Sequence, residues 1–492
     1  MMSRSGLGLA LSALVLSGCL NARPAQPDLR ILYNETAQYH LPDRNPVVVI
    51  PGVLGSRLRD AATGQVVWGA FEPASANPND PDGLRALALP IAPDQPLTEL
   101  TDTVRPDGVL DRVRLKVLGL PIQLQAYAGI LSTLGAGGYR DQQLGLSGVD
   151  YGSDHFTCFQ FDYDWRRDNT ENAARLKTFL DERRRFVSGK YREEFGLQVP
   201  PETIKFDIVA HSMGGLILRY FLRYGDQPIT PERAPTLDWA GASYVERAIL
   251  VGTPNAGSAA SMLKLINGQT DGRPILPRYP PALLGTYPSL YQLLPRTRHG
   301  VLVSEGDTDR RIDILDPALW AQQGWGLADP NQDGVIAALL PQMADPQARR
   351  RQALAHQARL LAQAGAVFAA LDRPATPPKG LEFFAVAGDA APTPKTLSVD
   401  GATGAVTVSD DAPGDGTVLR SSVLLDERVG GPFEPRLKSP IGWRSQLLLF
   451  SDHLGLTKDP AFSDNVLYWL LEDPRGEAFT PVRPEPKTHF SD

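Results

Sequence analysis

Residues 204–215 read Ile-Lys-Phe-Asp-Ile-Val-Ala-His-Ser-Met-Gly-Gly, and the other predictions for this chain depend on this stretch. Apolar and β-branched residues lead to a serine between small residues, and apolar residues with helical spacing follow. The pattern predicts a strand, a sharp turn at Ser212 and a helix. Backbones pass close together at such a turn, so Ala210 and Gly214 are suitably small. We therefore predict that Ser212 is a nucleophile; the alternative is a serine that only caps the helix.

The composition is that of an ordinary globular protein. A chain of 492 residues is longer than a single compact core usually supports, so two domains or one large domain with insertions are expected. The net charge of -7 and the lack of a long basic run argue against nucleic acid as a partner. The sequence does not indicate an oligomeric state.

The first residues have the pattern of a signal peptide. Arg4 supplies a positive charge, residues 7–16 form an apolar run too short to span a bilayer, and Leu-Ser-Gly-Cys ends at Cys19. This ending resembles the bacterial lipoprotein box, in which the cysteine is lipidated. The alternative is a plain secretory signal with an incidental cysteine. We expect a protein anchored by lipid in the bacterial cell envelope, at the outer membrane or cell surface.

The second element of the predicted site is the loop after the first strand. Residues 46–50 form an apolar strand, and Pro-Gly-Val-Leu-Gly-Ser follows through residue 56. In hydrolases with this kind of sheet, the loop after an early strand supplies one N–H of the oxyanion hole, and the residue after the nucleophile supplies the other. Val53 and Met213 are therefore the predicted backbone donors, unless this is an ordinary strand-to-loop turn.

Strands and helices alternate through much of the chain, which favours an α/β class with a mostly parallel sheet. Predicted strands cover residues 156–161, 248–251, 382–387 and 445–450, and predicted helices cover residues 123–134, 172–195 and 462–472. Residues 57–124 have poor periodicity and are interpreted as an inserted subdomain rather than core. About 120 residues before the strand at 382 are interpreted as a cap over the site.

Residues 329–334 resemble the first half of a calcium-binding loop. The twelfth position is Leu340 instead of a bidentate glutamate, which favours a plain acidic turn. We expect no metal and no organic cofactor.

The general base is found by elimination. A serine hydroxyl needs a base, and in this type of sheet the chain order is serine, acid, histidine. Of seven histidines, only His299, His356, His453 and His489 follow Ser212. Two fall in the predicted cap and one in the loose tail, which leaves His453 directly after a strand. A surface loop histidine is the alternative.

Position alone leaves four candidates for the acid that orients the histidine. Asp415 lies between glycines, which permit the turn that a buried carboxylate loop needs. Asp410, Asp411 and Asp426 are competing candidates, and any of the four is compatible with a solvated turn.

Together these segments resemble the lecithin:cholesterol acyltransferase family, which includes lysosomal phospholipase A2 and phospholipid:diacylglycerol acyltransferases. Five motifs recur in order: Pro-Gly-x-Leu-Gly at 51–55, Tyr-Asp-Trp-Arg at 163–166, Ala-His-Ser-x-Gly at 210–214, Pro-Thr-Pro-Lys at 392–395 and Gly-Asp-Gly-Thr-Val at 414–418. The resemblance implies an α/β-hydrolase fold with an inserted membrane-binding segment and a cap. It also implies Ser212 as nucleophile, Asp415 as acid and His453 as base, with Val53 and Met213 at the oxyanion.

The resemblance leaves some features without a role. Trp68 stands where the family has an aromatic residue near its membrane-facing insertion, although core packing explains it equally well. Residues 163–166 are assigned no chemistry. Secreted animal members carry a disulfide in the insertion, but this chain has no cysteine between Cys19 and Cys158.

The expected organisation follows from these assignments. It comprises a signal peptide (1–19), a tether (20–45), an α/β-hydrolase core (46–56, 125–260 and 381–478), a lid or membrane-binding insertion (57–124), a cap (261–380) and a loose tail (479–492). The expected activity is that of a lipid O-acyltransferase or phospholipase acting on a membrane lipid. The rival hypotheses are a serine esterase for other esters and an inactive lipid-anchored binding protein.

Overall fold

The computed structural model describes residues 28–71, 74–110, 112–117, 120–125, 127–269 and 277–475. The predicted signal peptide with Cys19, residues 20–27 of the tether, and the tail with His489 lie outside the described residues. No helix within the described ranges is both long enough and apolar enough to cross a membrane.

A six-stranded sheet forms the centre of the protein. Its strands are β1 (Val47–Ile50), β2 (Cys158–Gln160), β3 (Phe206–His211), β4 (Val245–Val251), β5 (Glu382–Gly388) and β6 (Trp443–Leu449). The spatial order is β6-β5-β4-β3-β1-β2, and every neighbouring pair is parallel. The prediction of an α/β class is confirmed. Because the strands are parallel, the loops after β1, β3 and β6 leave the sheet at the same edge.

Helices cover both faces of this sheet. They include α1 (Asn169–Phe195), α2 (Met213–Tyr224), α3 (Pro346–Asp372) and α4 (Pro460–Leu471). Side chains alternate across β1: Val48 and Ile50 pack in the core that contains α1 and α2, while Val47 and Val49 pack in the core that contains α4. Both faces of β1 are therefore buried, which explains why its sequence is apolar at every position.

The remaining strands form three smaller sheets: Ser56–Asp60 with Val66–Trp68 and Val104–Val109; Ala70–Phe71 with Arg112–Val117 and Leu120–Gln125; and Leu302–Ser304 with Asp307–Arg311, Ala391–Val399 and Val406–Gly414. The other α-helices are Leu29–Leu32, Asn34–Ala37, Pro81–Leu87, Ala128–Ala136, Gln142–Leu146, Ala259–Asn267, Pro281–Leu284, Pro288–Tyr291, Pro317–Gln323, Asp333–Leu339 and Arg420–Leu424.

Two expectations differ from the structure. The helix predicted over residues 123–134 is wrong at its start, because Leu120–Gln125 is a strand and the helix begins only at Ala128. Alternation of apolar and polar residues in that strand has a period of two, which the helix prediction overlooked. The interpretation of residues 57–124 as separate from the core is also corrected, since Leu58, Trp68 and Leu100 belong to the main hydrophobic core.

The acidic segment at residues 329–334 forms the start of a helix. The Asp329 carboxylate accepts a hydrogen bond of 2.8 Å from the backbone N–H of Asn331, and the helix Asp333–Leu339 follows a short 3-10 turn. No cluster of three or more histidine, cysteine, aspartate or glutamate side chains suited to a metal ion occurs in the part of the chain that the structure describes.

Candidate active site

Ser212 lies at the turn between β3 and α2, as predicted. Its backbone has φ 53° and ψ -126°, a conformation that is strained for any residue with a side chain. A Cβ atom on Gly214 would lie only 2.4 Å from the carbonyl oxygen of Pro51, so only glycine fits there. The turn thus places the Ser212 side chain at the carboxyl end of β3, where a nucleophilic serine lies in this kind of sheet.

His453 and Asp415 lie next to Ser212, although they are far from it in sequence. His453 Nε2 is 2.9 Å from Ser212 Oγ, and His453 Nδ1 is 2.7 Å from Asp415 Oδ2. The structure therefore brings the three predicted side chains into one continuous hydrogen-bonded chain. This is the geometry in which an imidazole accepts the proton of a serine and a carboxylate orients the imidazole.

The Asp415 carboxylate is held by its own loop. Its Oδ1 accepts hydrogen bonds from the backbone N–H groups of Thr417 (2.9 Å) and Val418 (2.7 Å). Burial by itself raises the pKa of Asp415, but the hydrogen bond and charge of His453 and these backbone donors outweigh it, so that the pKa lies below its ordinary value. The carboxylate consequently stays ionised beside the imidazole at neutral pH.

The other three candidate acids have different surroundings. Asp410 forms a 2.7 Å ion pair with Lys395 on the surface, Asp411 is exposed, and Asp426 pairs with Arg428 at 2.7 Å. Among the described residues, Asp415 is the one of the four candidates that is hydrogen-bonded to His453.

Two of the alternative histidines are also placed away from the serine. His299 lies 3.4 Å from Glu427, and His356 is fully buried in α3, where neither ring nitrogen has a hydrogen-bond partner among the described residues. Neither contacts the hydrogen-bonded chain that begins at Ser212.

The loop after β1 lies against the serine. A Cβ atom on Gly52 would be 2.7 Å from Ser212 Cβ, so the Gly52 backbone packs against the Ser212 side chain as closely as only glycine permits. The backbone N–H groups of Val53 and Met213 have no acceptor among the described residues. An oxyanion hole needs donors that are not already paired within the protein, so both groups remain candidates for that role.

Aromatic side chains brace this loop. Trp68 Nε1 donates to the carbonyl oxygen of Leu54 at 2.8 Å, and the Tyr163 hydroxyl donates to that of Pro51 at 2.9 Å. Leu54 has φ 64°, a conformation that needs such support in a residue other than glycine. Trp68 is also buried against Trp165 and Tyr279, so it is a core residue in this structure. The bracing role answers the question that the sequence left open for Trp68 and Tyr163.

Sequence reasoning missed two further residues at the site, Tyr127 and His211. The Tyr127 hydroxyl accepts a hydrogen bond of 2.8 Å from the Gly52 N–H and lies 3.1 Å from His211 Nδ1. His211 Nε2 lies 3.0 Å from the backbone carbonyl oxygen of His453. The one sequence signal for His211 was its position next to the serine. Tyr127 was assigned to the interior of the helix predicted at 123–134, so its place near the site was not recognised.

The sequence was compared with models of known protein families. The sequence model of the lecithin:cholesterol acyltransferase family matches residues 146–313, about a third of the chain, with Ser212 inside the match. This match confirms the family resemblance. Asp415 and His453 lie outside the matched segment, so their assignment depends on the geometry given above. No curated protein matches the sequence.

Solved structures are similar to this chain at low sequence identity. One chain of the crystal structure of the Tle4-Tli4 complex superposes with a TM-score of 0.51 at 15% identity, covering 87% of this chain and 98% of that chain. The mature form of the Bacillus licheniformis lipase BlEst2 has a TM-score of 0.31 at 13% identity, with 88% and 94% covered. The corresponding values for EstA from Clostridium botulinum are 0.30, 12%, 88% and 88%.

The predicted α/β-hydrolase fold is thus confirmed. The family match on this fold supports a lipid esterase or acyltransferase of the α/β-hydrolase type.

Proposed function

We propose that this protein is a serine-dependent lipid acyltransferase and phospholipase. It takes an acyl group from a phospholipid or a related lipid ester onto Ser212 and passes that group to an alcohol or to water. The observation that carries the proposal is the hydrogen-bonded chain Ser212–His453–Asp415, with contacts of 2.9 and 2.7 Å.

The first half-reaction begins with a proton transfer. Asp415 accepts the N–H of His453 Nδ1, which leaves Nε2 without a proton and able to accept one from the Ser212 hydroxyl. The serine oxygen attacks the ester carbonyl carbon, and the carbonyl oxygen becomes an oxyanion. The N–H groups of Val53 and Met213 stabilise this oxyanion, and loss of one such donor typically costs about 100-fold or more in rate.

The first half-reaction ends when the oxyanion collapses and the ester C–O bond breaks. The protonated His453 gives its proton to the departing alcohol, which is the lysolipid when the donor is a phospholipid. The second half-reaction removes the acyl group from the serine. The acyl-enzyme on Ser212 is then attacked by an acceptor alcohol or by water, whose proton His453 takes. Release of the Ser212 hydroxyl restores the enzyme. Whether transfer or hydrolysis dominates depends on which nucleophile reaches the acyl-enzyme.

The proposal includes the location of the substrate. The signal sequence that ends at Cys19 predicts a lipid anchor, and a protein held at a bilayer by acyl chains meets lipid esters at high local concentration. The proposed site of action is accordingly the lipid surface of the bacterial cell envelope.

A fluorophosphonate probe together with lipid analysis tests the proposal. We expect the purified protein to be labelled by the probe and to release fatty acid from phospholipid vesicles, with a new acyl ester formed when a long-chain alcohol is added. Ser212→Ala should abolish all three signals. Undiminished labelling of Ser212→Ala would overturn the assignment. Turnover of short monomeric esters with no turnover of vesicles or micelles would instead favour an esterase for other substrates.

A further inference from the structure

We infer that Tyr127 and His211 form a positioning pair that sets the distance between the oxyanion loop and the catalytic base. This inference deepens the proposed function and rests on it. The His211 ring packs against the His453 ring, with centroids 4.8 Å apart. Among the described residues, the hydrogen bonds of the His453 ring nitrogens go to Asp415 and Ser212 and not to Tyr127 or His211. The pair links Gly52, in the loop that holds one oxyanion donor, to the backbone of His453.

We call the series of hydrogen bonds from Gly52 through Tyr127 and His211 to His453 the link. Chemistry determines the direction of each of its hydrogen bonds. The carbonyl oxygen of His453 only accepts, so His211 Nε2 must carry the proton of that 3.0 Å contact. In a neutral imidazole Nδ1 is then unprotonated, and it accepts a hydrogen bond of 3.1 Å from the Tyr127 hydroxyl. The Tyr127 oxygen in turn accepts the Gly52 N–H at 2.8 Å. The link therefore has one consistent arrangement of protons.

Burial keeps the link in this state. His211 is 3% exposed and Tyr127 is 4% exposed. Burial, reinforced by the neighbouring His453, lowers the pKa of His211 to about 3, so the ring is neutral at physiological pH. Burial also raises the pKa of Tyr127, which keeps its hydroxyl protonated. Both side chains thus hold the protonation states that the directions of the bonds require.

The link restrains the two halves of the site at once. The backbone of His453 is held on both sides, because its N–H donates to the Asp415 carbonyl oxygen at 3.0 Å and its carbonyl oxygen accepts from His211. On the other side, the Gly52 N–H is paired with Tyr127, which fixes the residue that precedes the predicted donor Val53. Displacement of catalytic groups by about 1 Å can cost about 100-fold in rate, so such restraints matter.

Paired substitutions separate positioning from packing. Tyr127→Phe removes only the hydroxyl, and His211→Leu removes both hydrogen bonds of the ring. His211→Gln keeps an N–H able to donate to the His453 carbonyl oxygen. Tyr139→Phe is the matched control, because Tyr139 is a buried tyrosine of the same hydrophobic cluster.

The readouts are kcat and KM on a soluble ester, the affinity for a trifluoromethyl ketone that forms an oxyanion on the serine, and the melting temperature. We expect Tyr127→Phe to lower kcat about tenfold and His211→Leu about 100-fold, with KM changed less than about twofold and ketone affinity falling in parallel with kcat. His211→Gln should recover about tenfold of the loss in His211→Leu. Tyr139→Phe should match the wild type in all kinetic values.

Two results would overturn the inference. One is wild-type kcat and ketone affinity in Tyr127→Phe together with a lowered melting temperature, which is the signature of packing alone. The other is a His211→Gln variant that is no more active than His211→Leu at equal stability. This second comparison tests the inference even if Tyr127→Phe does not fold. Activity that survives in Ser212→Ala would refute the proposed function itself, so the two failures are distinguishable.

Discussion

The backbone of Gly52 lies directly against the side chain of Ser212. A Cβ atom on Gly52 would lie 2.7 Å from Ser212 Cβ and 3.3 Å from both Ser212 Oγ and His211 Nδ1. Real Cβ atoms do not tolerate the first of these distances, so any side chain at position 52 must push the loop and the serine turn apart. Val53, whose backbone N–H is a predicted oxyanion donor, is the next residue in this loop.

Gly52→Ala tests this contact. We expect kcat on a soluble ester to fall about 100-fold, because the loop withdraws and the oxyanion loses the Val53 donor. Gly189→Ala is the control, since that glycine lies within α1 with no atom near its Cβ. The control should keep full activity and gain up to about 1 kcal/mol in the free energy of unfolding. A Gly52→Ala variant with wild-type kcat would show that the loop does not form the oxyanion hole.

Asp415→Asn tests the role of the acid. The amide has almost the same shape, but its NH2 group favours the wrong imidazole tautomer and its charge is lost. The corresponding change in a serine protease lowers kcat by about 10⁴, and we expect a loss of similar size here. Asp410→Asn, which changes a surface aspartate paired with Lys395, should leave kcat unchanged. Equal activity of the two variants in steady-state kinetics would count against Asp415 as the acid.

Trp68→Phe tests the bracing of the oxyanion loop. The substitution removes the hydrogen bond to the Leu54 carbonyl oxygen, which supports a residue with positive φ. We expect a loss of about 1 kcal/mol in the free energy of unfolding and a fall in kcat of about tenfold. Trp443→Phe removes a 3.1 Å indole bond to the Leu424 carbonyl oxygen at the start of β6. It should cost similar stability without lowering kcat, and a similar kcat loss in both variants would contradict a specific bracing role.

His356→Leu tests the effect of pH on stability. Burial, with a smaller contribution from Arg359, lowers the pKa of His356 from 6.5 to about 4. The unfolded chain therefore binds a proton below about pH 6.5 that the folded protein rejects until about pH 4, so the folded state loses stability as the pH falls through this range. A full shift of this size corresponds to about 3 kcal/mol.

Urea unfolding at several pH values measures this effect. The wild type should lose stability toward acid more steeply than His356→Leu, and the variant should be comparatively more stable near pH 4 than near pH 7. In the part of the chain that the structure describes, neither ring nitrogen of His356 is hydrogen-bonded, so replacement by leucine leaves no group there without its partner. Parallel pH curves for the two proteins would refute the prediction.

Local sequence predicted the elements that depend on local rules. The strand and helix around Ser212 follow from apolar spacing and from the need for small residues at the turn, and the structure has them at Phe206–His211 and Met213–Tyr224. The strands of the central sheet follow from their apolar runs. The helix predicted at 123–134 is wrong at its start because the period-two alternation of residues 120–125 was overlooked, whereas from Ala128 onward a helix is present.

The sequence by itself determined the strand-turn-helix at Ser212, the parallel α/β class and a short set of candidate bases and acids. The choice among these candidates came from the tertiary structure, because residues 241 positions apart meet only when the sheet brings strand ends to one edge. The same packing decided the contacts of Gly52 with Ser212 and of Tyr127 with His211. Periodicity records which side of an element is buried, whereas these contacts depend on how separate elements are placed against each other, and no local pattern encodes that placement.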